Sequence, residues 1–251
     1  MLVLLRHGES SLNEEGRFSG WSDCPLAPEG IRQAHASGRI LRDAGIGFDA
    51  CFTSVLSRAV ETAAIVLGEL DLSDIPVTKT WRLNERHYGI LEGASRKDAV
   101  RQYGADQVAA WRNMPDATPP PLADNDLRHP RHKAAYSDVE PDSLPASESL
   151  REAFRRVNDF FEREIRPMVE LGRRVLIVTH GNPVRAIVAR LGGLPDGVIP
   201  MLEVRNAVPI AYAPGLSDAD VRRCPSGLQL RGTVVYYPRL HESGMPPEAV
   251  R

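Results

Sequence analysis

Leu2-Val3-Leu4-Leu5-Arg6-His7-Gly8-Glu9-Ser10 opens the chain as a short apolar run that stops at a cation, an imidazole and a glycine. Such a run, bounded by glycine, reads as a buried parallel strand. The carboxyl edge of an open α/β sheet is where ligands bind. Far along the chain, Val175 to Val178 forms a second apolar run and ends in Thr179-His180-Gly181-Asn182. If these strands are parallel neighbours, His7 and His180 project over one crevice.

The segments between them alternate strand and helix, which predicts an α/β fold: a three-layer sandwich with a mostly parallel central sheet flanked by helices. A long polar loop, Glu9 to Pro28, precedes a helix from about Glu29 that Gly45 and Gly47 end. Phe48 to Thr53 reads as a strand, and Thr53-Ser54 as the N-cap of a helix from Val55 to Leu70. Arg58 falls in the first turn of that helix, against the positive end of its dipole, a conflict that a bound anion would remove. Val77 to Trp81 reads as a third strand, followed by the dense polar stretch Asn84-Glu85-Arg86-His87-Tyr88-Gly89. Two short helices broken near Gly104 are expected from Ala94 to Arg112. The Pro-rich stretch 113–145 has no period and reads as an ordered excursion or lid. Ser149 and Glu152 make a capping box for a long helix running to Met168. A helix from Pro183 to Leu191 and strands near Val208 to Tyr212 and Leu228 to Tyr237 complete the expectation. All 251 residues are taken as a single domain, with a tail from Glu242 that frays.

The net charge of −2 argues against nucleic acid or membrane as a partner, so anion binding must come from a local cluster of arginines. Cys24, Cys51 and Cys224 are odd in number and lack metal or disulfide spacing. The apolar start is too short for a signal peptide, and cytoplasm is the expected compartment. H-E-x-x-H, P-loop and EF-hand patterns are absent from the sequence, so no metal is expected. His129 and His132 are spaced like metal ligands but have neither a nearby cysteine nor a third histidine.

An imidazole at a strand's carboxyl end with a cation beside it points to phosphoryl chemistry. It needs a nucleophile in line, positive charge on the equatorial oxygens and a proton donor for the leaving oxygen. Neutral imidazole suits the first task, and nearby cations keep it unprotonated. His7 is the expected nucleophile. Arg6, Arg58 and Arg86 offer planar forks that match phosphate oxygens. Glu85 is the one carboxylate of its polar stretch and is assigned acid/base duty.

Leu5-Arg6-His7-Gly8-Glu9-Ser10, Thr53-Ser54-Val55-Leu56-Ser57-Arg58-Ala59 and Thr179-His180-Gly181-Asn182 resemble the histidine phosphatase superfamily. Asn13, Arg17-Phe18-Ser19-Gly20-Trp21, Leu83 to Gly89, Trp111-Arg112, Thr118-Pro119-Pro120 and Ser147 to Leu150 resemble one branch of it, the cofactor-dependent phosphoglycerate mutases. The resemblance implies interconversion of 2- and 3-phosphoglycerate in glycolysis and gluconeogenesis. It implies a phosphohistidine at His7 primed by 2,3-bisphosphoglycerate, with Arg6, Arg58 and His180 around the phosphoryl group and Glu85 as acid/base. Asn13, Ser19, Gly20, Arg86, His87, Tyr88, Arg112, Gly181 and Asn182 fall where the family contacts its substrate, together with Arg96 and Asn113. It also implies a homodimer or homotetramer. Three positions depart from the family: Arg96 stands where lysine is usual, Asn113 where a second arginine is usual, and Ala207 where glycine is usual. Residues 214–227 read as an insertion. Two rival functions follow from the same residues: a phosphatase that passes the phosphoryl group to water, and an inactive interaction module.

Overall fold

A computed structural model describes residues 1–195, 199–212 and 229–231. Its centre is a sheet in which β1 (Leu2–Arg6) lies beside β4 (Val175–Thr179), in parallel, with Leu2 opposite Val175 and Arg6 opposite Thr179. β2 (Ala50–Thr53) pairs in parallel with β4 and with the edge strand β3 (Val77–Lys79). On the other side, β5 (Ile210–Tyr212) runs antiparallel to β1, and β6 (Gln229–Arg231) follows β5 in parallel. The strand order is therefore β3-β2-β4-β1-β5-β6. The sheet is mixed, with one antiparallel junction in an otherwise parallel set.

Alternation along each strand divides the core in two. Leu2, Leu4, Phe52, Val175 and Ile177 face α6 (Leu150–Phe160) and α8 (Gly181–Gly192). Val3, Leu5, Cys51, Leu176 and Val178 face α2 (Pro28–Asp43) and α3 (Ser57–Glu69). All ten of these strand side chains are buried. This is why the central strands read as unbroken apolar runs: both faces are covered. α4 (Arg96–Tyr103) and α5 (Ala105–Asn113) meet at Gly104, whose φ of 84° suits glycine. Residues 114–149 form no helix or strand beyond three short 3₁₀ turns. The stretch is tethered by Asn84 Nδ2 donating to the Tyr136 hydroxyl at 2.9 Å and by the Ile90 amide donating to Pro120 O at 3.0 Å, and it is closed on itself by Ser147 Oγ donating to Pro119 O at 2.7 Å.

Several boundaries differ from the sequence reading. Thr53-Ser54 is not the cap of α3. The helix begins at Ser57, and its first amide donates to Asp23 Oδ1 at 2.7 Å, so the capping carboxylate comes from the distant polar loop. Ser54 turns inward instead. β2 and β3 are shorter than expected, and Trp81–Leu83 coils into a 3₁₀ turn capped by Thr80. α8 begins at Gly181 rather than Pro183. The long helix after the Ser149–Glu152 capping box is interrupted by a π turn at Phe161–Ile165, just before α7 (Arg166–Glu170). Pro167 has no amide to offer the preceding turn and its ring crowds that turn's carbonyl, so the coil widens there. The insertion at 214–227, the fraying tail and most of the stretch Leu228 to Tyr237 lie outside the described residues.

Two glycines carry the approach of α2 to the end of β1. A Cβ at Gly8 would lie 2.3 Å from Gly30 O, and one at Gly30 would lie 2.0 Å from Glu9 O. Gly30→Ala would raise helix propensity by about 1 kcal/mol if α2 stood alone. Here it drives a methyl into backbone, so we expect a net loss of about 1–3 kcal/mol, read as a lower denaturation midpoint at unchanged m. A more stable variant would show that this contact yields freely.

Candidate active site

The carboxyl ends of β1, β2 and β4, with the N-termini of α3 and α8, converge on His7. Its amide continues the ladder by donating to Thr179 O at 2.8 Å. Its carbonyl accepts Asn206 Nδ2 at 2.9 Å. Its ring nitrogen Nδ1 lies 2.6 Å from Gly8 O, a carbonyl that can only accept, so Nδ1 carries the proton and Nε2 carries the lone pair. That lone pair faces the Arg58 Nε–H at 3.3 Å. The His180 ring stands edge-on at 5.0 Å between centroids. Parallel pairing of β1 with β4 has thus brought the two imidazoles together.

Arg58 is fully buried. It is fixed by donating to Ser22 O at 2.9 Å and Gly20 O at 2.7 Å, so the loop 20–22 is its holder. Glu92 pins the same loop: its buried carboxylate accepts the amides of Ser22 at 2.8 Å and Tyr88 at 2.7 Å. Arg6 donates to Val204 O at 2.7 Å, while its buried Nε has no partner among the described residues. His180 Nδ1 is likewise buried and unpartnered. Ala207, the position where glycine is usual, adopts φ 51° and donates its amide to Arg6 O at 2.9 Å. The left-handed backbone there explains why glycine would suit it.

A cavity of about 750 Å³ opens in front of His7. Of the residues the sequence nominated, Arg6, His7, Asn13, Ser19, Glu85, Tyr88, Arg96, Arg112, Asn113, Gly181 and Asn182 line it. Arg58 and His180 sit behind its floor, in contact with His7. Gly20, Arg86 and His87 do not line it. Gly20 accepts from Arg58. Arg86 is buried with its guanidinium 4.7 Å over the Tyr88 ring and donates to Trp111 O, which holds the wall from behind. His87 is buried against Trp21, and its Nδ1 accepts the Gly89 amide at 3.0 Å. Glu85 Oε1 accepts the Arg86 amide at 2.7 Å and Oε2 faces the Asn182 amide at 3.5 Å, at the start of α8.

The sequence reading missed Arg185. It lines the cavity and is oriented by Nε donating to Leu202 O at 2.9 Å. A methyl built at Gly181 would lie 3.5 Å from Arg185 Nη1, 3.7 Å from Glu85 Oε2 and 3.9 Å from Arg6 Nε. Its one signal in the sequence is its place four residues after Gly181, on the same face of a helix that starts at the site. Ser54, Asn206 and Glu92 were also missed, and their partners are too far away in the chain to be read locally.

Electrostatics fixes the resting state. Burial, then Arg58 and Arg6, hold the His7 imidazole well below its ordinary pKa of 6.5. Burial, Arg58 and His7 do the same to His180, and burial drops His87 to about 3. All three are neutral near pH 7. Burial lowers Arg6 to about 10, which leaves it charged. Burial raises Glu92 to about 7.

These shifts predict an acid limb with an unusual origin. Below pH 6.5 the unfolded chain protonates His7, His87 and His180, which the native state keeps neutral, and His129, which burial and Arg131 also lower, so stability falls as pH falls. Glu92 acts oppositely between 7 and 4.5, where the native state holds a proton the unfolded chain has released. The net of about two to three protons corresponds to a slope of about 3–4 kcal/mol per pH unit. We expect Tm to fall steeply between pH 6.5 and 5, and activity to follow it. Activity that titrates near 6.5 at constant Tm would refute the depressed His7.

Among the described residues no group of three His, Cys, Asp or Glu is placed to hold a metal ion. No described helix is long and apolar enough to cross a membrane. What the site offers, among the described residues, is Arg6, Arg96, Arg112 and Arg185 on the cavity wall with the carboxylate Glu85, around a neutral imidazole, while Arg151 and Arg190 on the same wall are engaged by Asp116 and Glu162.

Comparison with known proteins agrees with that chemistry. Residues 2–126 and 123–211 match the histidine phosphatase superfamily (branch 1). The 2,3-bisphosphoglycerate-dependent phosphoglycerate mutase of Nitratidesulfovibrio vulgaris is 46% identical over 84% of this chain and 85% of its own. The alpha-ribazole phosphatase of Shigella flexneri superposes with a TM-score of 0.61 at 28% identity, over 84% of this chain and 90% of its own. A phosphoglycerate mutase from Bacillus anthracis shares the fold, with a TM-score of 0.61 at 24% identity over 84% of this chain and 87% of its own. With a neutral histidine set among arginines at the carboxyl edge of its sheet, this chain belongs to branch 1 of the histidine phosphatase superfamily.

Proposed function

We propose that the chain is a 2,3-bisphosphoglycerate-dependent phosphoglycerate mutase, acting in the cytoplasm on 2- and 3-phosphoglycerate with no metal. The observation that carries this is the state of His7: Nδ1 is tied to the Gly8 carbonyl, Nε2 keeps its lone pair with the Arg58 Nε–H at 3.3 Å, and burial with Arg58 and Arg6 holds the ring neutral. The site also fits a phosphorylated primer. Its orphaned buried atoms, Arg6 Nε and His180 Nδ1, are ones that can donate to an oxyanion.

On this reading His7 Nε2 takes the phosphoryl group as the bond to the ester oxygen breaks. Arg6, Arg58 and His180 hold the three equatorial oxygens as charge spreads over them. Glu85 gives a proton to the leaving oxygen and later takes one from the hydroxyl that reclaims the group from His7. Arg96 and Arg112 hold the distal carboxylate or second phosphate, and Arg185 adds a cation near Glu85. Supplying 3-phosphoglycerate with a trace of 2,3-bisphosphoglycerate tests this. The 2-isomer is expected. Inorganic phosphate without the isomer would make the chain a phosphatase.

A further inference from the structure

Ser54 stands where β2 gives way to α3, fully buried, and none of the chemistry above uses it. Its Oγ lies 2.8 Å from His180 Nε2 and accepts the Leu56 amide at 3.2 Å. Among the described residues it has no other hydrogen-bond partner. We infer that Ser54 is a positioning residue: its hydroxyl donates to His180 Nε2 and thereby fixes the tautomer in which Nδ1–H points a proton at the transferring phosphoryl group. The inference rests on His180 lying against that group.

The argument is a count of protons. A neutral imidazole carries one N–H, and a serine hydroxyl has one proton to give. One Oγ lone pair is already taken by the Leu56 amide. If the hydroxyl donates to Nε2, every buried group here is satisfied except Nδ1–H, which is left as a donor awaiting an oxyanion. If Nε2 donates instead, Oγ accepts twice and its own proton is stranded in a dry pocket. The Nδ1 lone pair would then meet phosphoryl oxygens, acceptor against acceptor. Both faults are costly in a buried site, so the first arrangement holds. Burial and the charges of Arg58 and Arg6, which face the ring from other elements beside the neutral His7, disfavour imidazolium, which is the one state that would not need Ser54.

Nitrogen-15 spectra of the full chain labelled in histidine read the tautomer directly, with Ser54→Ala, Ser54→Thr and His180→Gln as companions. In the wild type His180 should be protonated at Nδ1. Ser54→Ala should lose that single tautomer and lower kcat about 10- to 100-fold with KM for phosphoglycerate within about twofold, while orthovanadate binding weakens in step with kcat. Ser54→Thr should restore both the tautomer and kcat. A wild-type ring protonated at Nε2 overturns the inference even if Ser54→Ala does not fold. So does a Ser54→Ala protein that keeps the Nδ1–H form and full kcat. Unchanged kcat in His180→Gln would remove His180 from the phosphoryl pocket altogether, a separate failure from that of Ser54.

Discussion

His7→Ala is expected to lower kcat by a factor on the order of 10⁴ or more, because in the proposed mechanism it removes the atom that carries the phosphoryl group rather than a group that assists it. The variant should fold. The His7 amide continues the ladder by donating to Thr179 O and its carbonyl accepts Asn206 Nδ2, and both bonds survive truncation of the ring. Removing the imidazole leaves Arg58 Nε without a side-chain partner but keeps its bonds to Ser22 O and Gly20 O. Arg6 and Arg58 then still present their positive charge, so the variant should bind phosphoglycerate within a few-fold of wild type. Incubation with labelled 2,3-bisphosphoglycerate, followed by a test for acid-labile label, separates the cases: wild type takes up one phosphoryl group and His7→Ala takes up none. Label on His7→Ala, or appreciable isomerase activity in it, would move the carrier to another residue.

Why so much of this site can be read from the sequence, and some of it cannot, follows from where each interaction lies. His7 and His180 are legible because each ends a buried parallel strand, and strand ends of that kind leave few places for a side chain to go. Glu85 is legible because it is the one carboxylate among polar neighbours. Arg58 drew attention through its conflict with the dipole of α3, but what secures it, the carbonyls of Gly20 and Ser22, lies 38 and 36 positions away. Ser54 looked like a cap because serine before a helix usually is one. The cap came from Asp23, and Ser54 was released for His180, 126 positions on. Arg86 and His87 carry the polarity of ligand-contacting residues yet support the wall from within. Local pattern gives the elements and the residues at their ends; which side chains then reach one another is set by the crossing of chains that are far apart in sequence.

Glu85→Gln isolates the proton. The amide is nearly isosteric, and its oxygen can still accept from the Arg86 amide that the carboxylate holds at 2.7 Å. Position should therefore be kept at the Arg86 amide, while the capacity to exchange a proton is lost together with the charge and the long contact from the Asn182 amide at 3.5 Å. We expect kcat for phosphoglycerate to fall by about 10²- to 10⁴-fold with KM little changed. The size of the loss should depend on the leaving oxygen. An alkoxide needs a proton as its bond to phosphorus breaks, so the natural ester should suffer the full effect. An aryl phosphate whose leaving oxygen is stable as an anion needs none, and transfer of its phosphoryl group to His7 in Glu85→Gln should approach the wild-type rate. Equal losses for both esters would mean that Glu85 holds the cavity's shape or charge rather than moving a proton. Arg185 is the neighbouring cation, with its Nη1 and Glu85 Oε2 lying 3.5 and 3.7 Å from the same point above Gly181. Arg185→Gln gives the complementary result: as a cation near the substrate it should raise KM for phosphoglycerate, where Glu85→Gln lowers kcat, and the two variants together separate holding the substrate from moving its proton.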